Sequence, residues 1–145
     1  CKMITLQAVN VENFDEIISL SVSDEQREFV ACNAESIAQA YVQEQCIPLA
    51  IYDGPHPVGF VMYCVDRDDG AWWLYRLMVD RAHQGRGCGR AALEQVLTRM
   101  KADPARHHIY LGVEPENPAV SLYRSLGFRF DGRVYGREHI MVLDY

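Results

Sequence analysis

Residues 84–90 read Gln-Gly-Arg-Gly-Cys-Gly-Arg, and this run carries the clearest chemistry in the chain. Glycines let backbone N–H groups approach an anion without interference from a Cβ atom. The stretch before the run, Leu74 to Val79, is apolar and strand-like, and Ala91 to Met100 after it is amphipathic and helix-like. A strand, a glycine turn and a helix N-terminus together make an anion cradle, because the first helical N–H groups lack intrahelical partners and lie at the positive end of the dipole. Gln84, Gly85, Arg86, Gly87, Cys88, Gly89 and Arg90 are therefore candidate ligands of a phosphate-bearing cofactor. A plain strand-to-helix connection is the alternative, but three alternating glycines exceed what a turn needs. Cys88 reads as a small neutral filler, since a thiolate at that point would repel a diphosphate.

Two common phosphate loops do not fit. A Walker loop ends in Lys followed by Ser or Thr, whereas this run ends Gly89-Arg90-Ala91. A dinucleotide fingerprint spaces its glycines as Gly-x-Gly-x-x-Gly at the start of a βαβ unit, whereas Gly85, Gly87 and Gly89 alternate. Composition excludes further classes. The net charge of −6 argues against a general nucleic-acid binder, which carries clustered Lys and Arg, and is compatible with a cationic small substrate. No run of about 18 apolar residues is present, so no membrane helix is expected. Residues 1–10 show no secretory leader, Met3 reads as the natural start, and a cytoplasmic location is expected. Five cysteines without Cys-x-x-Cys spacing suit reduced thiols better than a disulfide framework or a zinc site. The five histidines offer no metal-ligand spacing, so no metal is expected.

The elements that must position the loop follow from hydrophobic period and turn residues. Met3 to Ala8 alternates as a first strand. Asn10 is placed to cap a helix carrying Phe14, Ile17 and Ile18 on one face. Ser23-Asp24-Glu25-Gln26 is a capping box for a second helical segment, and another helix starts at Asn33 or Ser36 and runs to about Glu44. Leu49 to Tyr52 and Val58 to Val65 form a hairpin around the turn cluster Asp53 to Pro57. Ala71 to Val79 reads as a long strand near the sheet centre. Leu93, Val96, Leu97 and Met100 then form one buried helical stripe, which Asp103-Pro104 stops. His108 to Val113 is the next strand, making a strand–helix–strand crossover of parallel strands. Asn117 caps a helix that has Pro118 at its start and Gly127 past its end. Ala119, Leu122, Tyr123 and Leu126 form its inward stripe. Phe128 to Tyr135 and Glu138 to Leu143 are two final strands.

Two blocks carry a family resemblance. Gln84, Gly87 and Gly89 satisfy Gln-x-x-Gly-x-Gly. Residues 117–128, Asn-Pro-Ala-Val-Ser-Leu-Tyr-Arg-Ser-Leu-Gly-Phe, resemble Asn-x-x-Ala-x-x-Leu-Tyr-x-x-x-Gly-Phe, offset by one residue at the alanine. At this spacing the pair resembles the GNAT superfamily of N-acetyltransferases over the C-terminal half of the chain, and the N-terminal half follows through the order of its elements. The resemblance implies an α/β fold on one domain spanning 1–145: a central, mostly antiparallel sheet with a splayed parallel strand pair, flanked by helices. It implies acetyl-CoA as co-substrate, held in the splay. Leu77, Met78 and Val79 would offer a strand edge to the pantetheine amides, residues 84–90 would hold the diphosphate, Asn117 would contact the pantetheine arm and Arg124 would reach the phosphates. Tyr123 would place its hydroxyl near the thioester sulfur. Asn117 could equally be only a helix cap, and Tyr123 only core.

Acyl transfer to an amine needs a proton acceptor for the ammonium, a donor to polarise the thioester carbonyl and a proton for the departing thiolate. A backbone N–H near Val79 is expected to polarise the carbonyl and Tyr123 to protonate the thiolate. Glu114, just past the strand ending at Val113, is the first choice of base, ahead of Asp80 and Glu116. Direct transfer without an acyl-enzyme is expected. Phe29, Trp73 and Tyr75 are candidate acceptor-binding residues, since aromatic faces attract alkylammonium ions; core packing is their alternative. Ser23, Gln26, Phe29 and Val30, with Val58 to Tyr63, are similar to bacterial spermine/spermidine-type acetyltransferases. Those tend to carry an acid on the strand before the loop, where this chain has Tyr75. The expected acceptor is a primary amine of a small molecule, with a polyamine the most specific reading. A protein N-terminus or lysine, an aminoglycoside, or a non-catalytic acyl-CoA binder on the same fold are the alternatives. The last hairpin offers an edge through which a homodimer could form.

Overall fold

The computed structural model describes residues 3–27 and 31–145. Its frame is a seven-stranded sheet in the order β1-β2-β3-β4-β5-β7-β6. The strands are β1 (Ile4–Ala8), β2 (Cys46–Asp53), β3 (His56–Val65), β4 (Trp72–Val79), β5 (His108–Val113), β6 (Arg129–Tyr135) and β7 (Glu138–Asp144). All neighbouring pairs are antiparallel except β4 and β5, which run parallel. A parallel pair needs a crossover, and α3 (Cys88–Lys101) supplies it. β4 is the central strand, as its long apolar run indicates.

One irregularity shapes the sheet. β3 and β4 pair Met62 with Arg76 and then Tyr63 with Leu74, so Tyr75 is the extra residue of a bulge. β4 pairs with β5 only at Trp72, Trp73 and Leu74, opposite Ile109, Tyr110 and Leu111. Pairing therefore ends where the bulge begins, and beyond Leu74 the two parallel strands separate. Bulges bend a strand and locally disrupt its ladder, which accounts for the divergence.

Two cores cover the two faces. On one, Leu93, Val96, Leu97 and Met100 of α3 pack with Tyr123 of α4 (Ala119–Ser125) against Val61, Leu74, Ile109 and Met141. On the other, Ile17 of α1 (Phe14–Ser19), with Ile37 and Ala40 of α2 (Asn33–Val42), packs on Ala50, Phe60, Met62 and Met78. The α1 stripe is narrower than its spacing predicts: Ile17 is buried, while Phe14 and Ile18 are exposed. The capping box at Ser23 produces only a 3-10 turn, Asp24–Gln26, with no side-chain cap bond. Asn33 is not a cap either; its amide donates to the Ile17 carbonyl at 2.8 Å, tying α2 to α1. Cys32, Cys46 and Cys64 are free. No described helix is long and apolar enough to cross a membrane.

Candidate active site

The strand separation opens a cleft of about 500 Å³. It is lined by the glycine loop, by Tyr75, Arg76, Leu77, Met78 and Val79 of β4, by Gly112 and Val113 of β5, by Asn117 and Tyr123, and by Val22, Gln26 and Ala31.

At the loop end, Gly85 and Gly87 have φ of +77° and +81°. These left-handed positions favour glycine and turn successive N–H groups to one side, the arrangement that makes an anion-binding concavity. Among the described residues, the backbone N–H groups of Gly85, Gly87, Gly89 and Arg90 donate to no protein acceptor. Gly87 is also the N-cap position of α3 and provides no side-chain cap. Bared amides, two left-handed glycines and the start of a 14-residue helix fit a diphosphate. Gly89 plays a different part: its backbone is ordinary, and an added Cβ would lie 3.5 Å from Val79 Cγ2.

The side chains around this loop mostly hold it in place. Gln84 Nε2 donates to the Val79 carbonyl at 2.9 Å and to Gln26 Oε1 at 2.8 Å, fastening the loop to β4 and to the Asp24–Gln26 turn. Arg90 pairs with Glu94 at 3.1 Å and donates to Ser125 Oγ at 2.7 Å, linking α3 to α4. Arg86 is exposed on the loop but does not line the cleft. Arg124 does not line it either; its guanidinium lies over the Phe130 ring, 5.3 Å from the centroid. Asn117 Oδ1 accepts from Ala119 N–H at 2.9 Å, so it caps α4 and lines the cleft at once.

β4 presents the middle of the cleft. Asp80 N–H donates to the Val58 carbonyl at 2.7 Å. Backbone groups alternate sides along a strand, so Val79 and Leu77 direct theirs toward the edge from which β5 has departed. Met78 is buried on the α1–α2 side while also reaching the cleft wall. Tyr123 is 8 % exposed, and its ring meets Phe128 edge to face at 5.9 Å. Among the described residues its hydroxyl has no hydrogen-bond partner. Burial, and then the charge of Glu138, push its phenol up to about 12, so it stays protonated at neutral pH.

The carboxylates are arranged differently from the sequence expectation. Glu114 does not line the cleft. It is buried at the end of β5, and its carboxylate is held by Arg137 at 3.0 Å. Asp80 accepts from Ser21 and Ala82 N–H groups at 3.0 and 3.2 Å, so it is a structural cap. Glu116 is exposed and outside the cleft lining. The acid that does line the cleft is Glu138, at the start of β7. A Cβ at Gly112 would lie 3.0 Å from Glu138 Oε1, so the bare β5 backbone leaves room for this carboxylate. Sequence reasoning missed Glu138. Its signal was the pairing of the last strand with β5, which sets His139 opposite Val113 and so brings residue 138 to the splay.

At the β4 bulge, Tyr75 lines the cleft and donates to Asp66 at 2.9 Å. Burial, then hydrogen bonds with Cys64 and Asp66, raise its phenol above the ordinary value. Trp73 does not line the cleft: its indole donates to Asp69 at 2.8 Å and its ring stacks 5.3 Å from Tyr110. Phe29 lies outside the described residues. Arg76 was not foreseen. Its guanidinium donates to the Tyr75 carbonyl at 2.9 Å and to Gln39 at 3.0 Å, and its Nε is buried without a partner.

A splayed parallel pair on a mostly antiparallel sheet, with a glycine-rich anion cradle at its mouth, defines an acyl-CoA acyltransferase architecture. The acetyltransferase (GNAT) family model matches residues 10–128, and the chain belongs to that family of acetyl-CoA-dependent N-acetyltransferases. It is 29 % identical to the spermine/spermidine N(1)-acetyltransferase of Bacillus subtilis strain 168, over 96 % of this chain and 97 % of that protein. Solved structures share the fold. The spermidine N-acetyltransferase of Vibrio cholerae, in complex with CoA and spermine, superposes with a TM-score of 0.76 at 20 % identity, covering 99 % of this chain and 96 % of the other. An aminoglycoside acetyltransferase in complex with coenzyme A gives 0.79 at 18 % identity, covering 98 % and 95 %.

Proposed function

We propose that this protein, as a single cytoplasmic domain, transfers the acetyl group of acetyl-CoA directly to a primary amine of a small polyamine. The observation that carries the reading is the continuity of the cleft. An anion cradle, a free strand edge and a protonated phenol follow one another in the order in which diphosphate, pantetheine and thioester follow one another in acetyl-CoA.

The loop N–H groups of residues 85–90 hold the diphosphate. The Val79 N–H and the edge groups of Leu77 pair with the pantetheine amides, and Asn117 contacts the arm. An arm anchored at the loop and laid along β4 brings the thioester toward the Tyr75 bulge. There a β4 N–H polarises the carbonyl and Tyr123 gives its proton to the departing sulfur. Holding amine and thioester together supplies much of the acceleration. The polyamine assignment rests on the 29 % identity to the Bacillus subtilis enzyme over nearly the whole of both chains.

Arg76 favours a second acceptor class. A guanidinium at the acceptor end, without an ion-pair partner among the described residues, suits an amine that also carries a carboxylate. An amine panel read by free CoA thiol separates the two: spermidine and putrescine against amino acids, with aminoglycosides and peptides alongside. Turnover of spermidine well above amino acids supports the polyamine reading. Preference for amino acids, lost in Arg76→Gln, transfers the assignment to the second class. No thiol release with any amine, despite CoA binding, refutes catalysis.

A further inference from the structure

We propose that Glu138 is the base that takes the proton from the acceptor ammonium, and that the Glu114–Arg137 ion pair is the clamp that aims it. The inference rests on the acetyltransferase reading and names the group that reading leaves unassigned.

The argument starts from the β6–β7 turn. Gly136 and Arg137 connect the two strands, and Glu138 is the first residue of β7. A turn is a mobile place to hang a catalytic group unless something fastens it. Here Arg137, itself 77 % exposed, reaches Glu114 at 3.0 Å, and the Glu114 side chain is 10 % exposed. The partner is thus built into the end of β5, and the pair ties the turn to the strand that forms one wall of the splay. Glu138 follows Arg137 directly and projects over Gly112. Any side chain at position 112 would meet its carboxylate. Glu138, Gly112, Val113, Asn117 and Tyr123 line one cleft, so carboxylate and phenol face the same space.

The other titratable groups around Glu138 can be named. Tyr123 faces it from α4, and feels its charge. Glu114 and Arg137 neutralise one another beside it. Tyr135 is its register partner on β6, and His139 follows it on β7, where its ring meets Phe130 at 6.1 Å. None of these forms an ion pair with Glu138 among the described residues. Glu114 is the opposite case: its charge is already committed to Arg137, so it cannot serve both purposes.

The proton and bond changes balance. Glu138 takes one proton from the ammonium. The freed nitrogen bonds the acetyl carbonyl carbon, and the carbon–sulfur bond breaks. Tyr123 gives its phenolic proton to sulfur and recovers one from the nitrogen as the amide forms. Glu138 returns its proton to water.

Glu138→Gln, Glu114→Gln and the native protein are compared with acetyl-CoA and spermidine, or with the best acceptor of the panel if spermidine is not turned over. CoA affinity is measured in parallel by calorimetry. Glu138→Gln is expected to bind CoA normally, to lower kcat/KM by about 100-fold or more, and to lose the acidic limb of the kcat/KM–pH profile. With trifluoroethylamine, which is uncharged at neutral pH, the deficit should shrink to a few-fold, since no proton need be removed before attack. Glu114→Gln should lower kcat by about 10-fold while keeping the acidic limb, because the base is present but poorly aimed. If Glu138→Gln keeps native kcat/KM and its acidic limb, or if only Glu114→Gln abolishes the limb, the assignment is overturned. A native protein that binds CoA but acetylates no amine refutes the acetyltransferase reading itself, an outcome distinct from an active native enzyme indifferent to Glu138.

Discussion

Replacing Gly87 by Ala isolates the backbone conformation on which the anion cradle depends. Gly87 has φ +81° and ψ +10°, and an added Cβ would meet nothing within 4 Å. The perturbation is therefore conformational strain without a clash. A non-glycine residue in the left-handed region costs about 1–2 kcal/mol, while a narrower unfolded ensemble returns about 0.4–1 kcal/mol. The net folding loss is then roughly 0–1.6 kcal/mol, a fall in Tm of at most about 6 °C for a chain of this size. If the free loop relaxes out of the left-handed geometry instead, the strain reappears on binding and CoA affinity drops about 5- to 30-fold. Gly54→Ala is the control: its φ is +58°, its Cβ position is also open, and it lies in the β2–β3 turn away from the cleft. Differential scanning calorimetry and CoA titration calorimetry read the two terms. Pantetheine, which lacks the diphosphate, should bind Gly87→Ala and the native protein alike. A Gly87→Ala protein that keeps native CoA affinity and also escapes the loss of Tm shown by Gly54→Ala would refute the claim that this loop grips the diphosphate in a left-handed geometry.

Four further outcomes are expected. Tyr123→Phe should keep the fold, since the ring remains and the hydroxyl has no partner among the described residues, yet lower kcat by 100-fold or more; the measurement is steady-state kinetics with a Tm check. Gly59→Ala should be severely destabilising, because its Cβ would lie 2.4 Å from the Met78 carbonyl oxygen and must push β3 off β4; chemical denaturation should show a loss above about 1–3 kcal/mol. Leu93→Ala, on the fully buried face of α3, should lose about 2–5 kcal/mol through transfer and cavity terms. Stability should fall as pH rises above the ordinary tyrosine range, because burial holds Tyr123 protonated up to about 12 in the folded state while the unfolded phenol ionises near 10. The folded state then binds more protons, so unfolding becomes easier with rising pH. Urea titrations across that range should show the slope, and Tyr123→Phe should reduce it.

Much of the site could be read along the chain because its parts are local. The loop at 84–90 lies between a strand and the helix it opens, so seven consecutive residues and their flanks suffice to indicate an anion cradle. Tyr123 lies on a short helix that Asn117 caps, and the strand His108–Val113 was legible to the residue. The acid was not. Glu114 sits beside the splay in sequence, but an ion pair across the sheet commits it to Arg137, and the carboxylate in the cleft arrives from a strand more than twenty residues later. Trp73 and Tyr75 differ for a similar reason: a bulge at Tyr75 turns one into the cleft, while Asp69 and Tyr110 hold the other away from it.

The amino-acid sequence alone determined the family, the glycine loop and the order of elements, because each is set by local backbone geometry and short-range spacing. Only the tertiary structure decided where the parallel strands part, which carboxylate faces the cleft and that Arg76 lines it beside Tyr75. Those depend on register between distant strands, and a shift of one residue in a pairing moves every side chain to the other face.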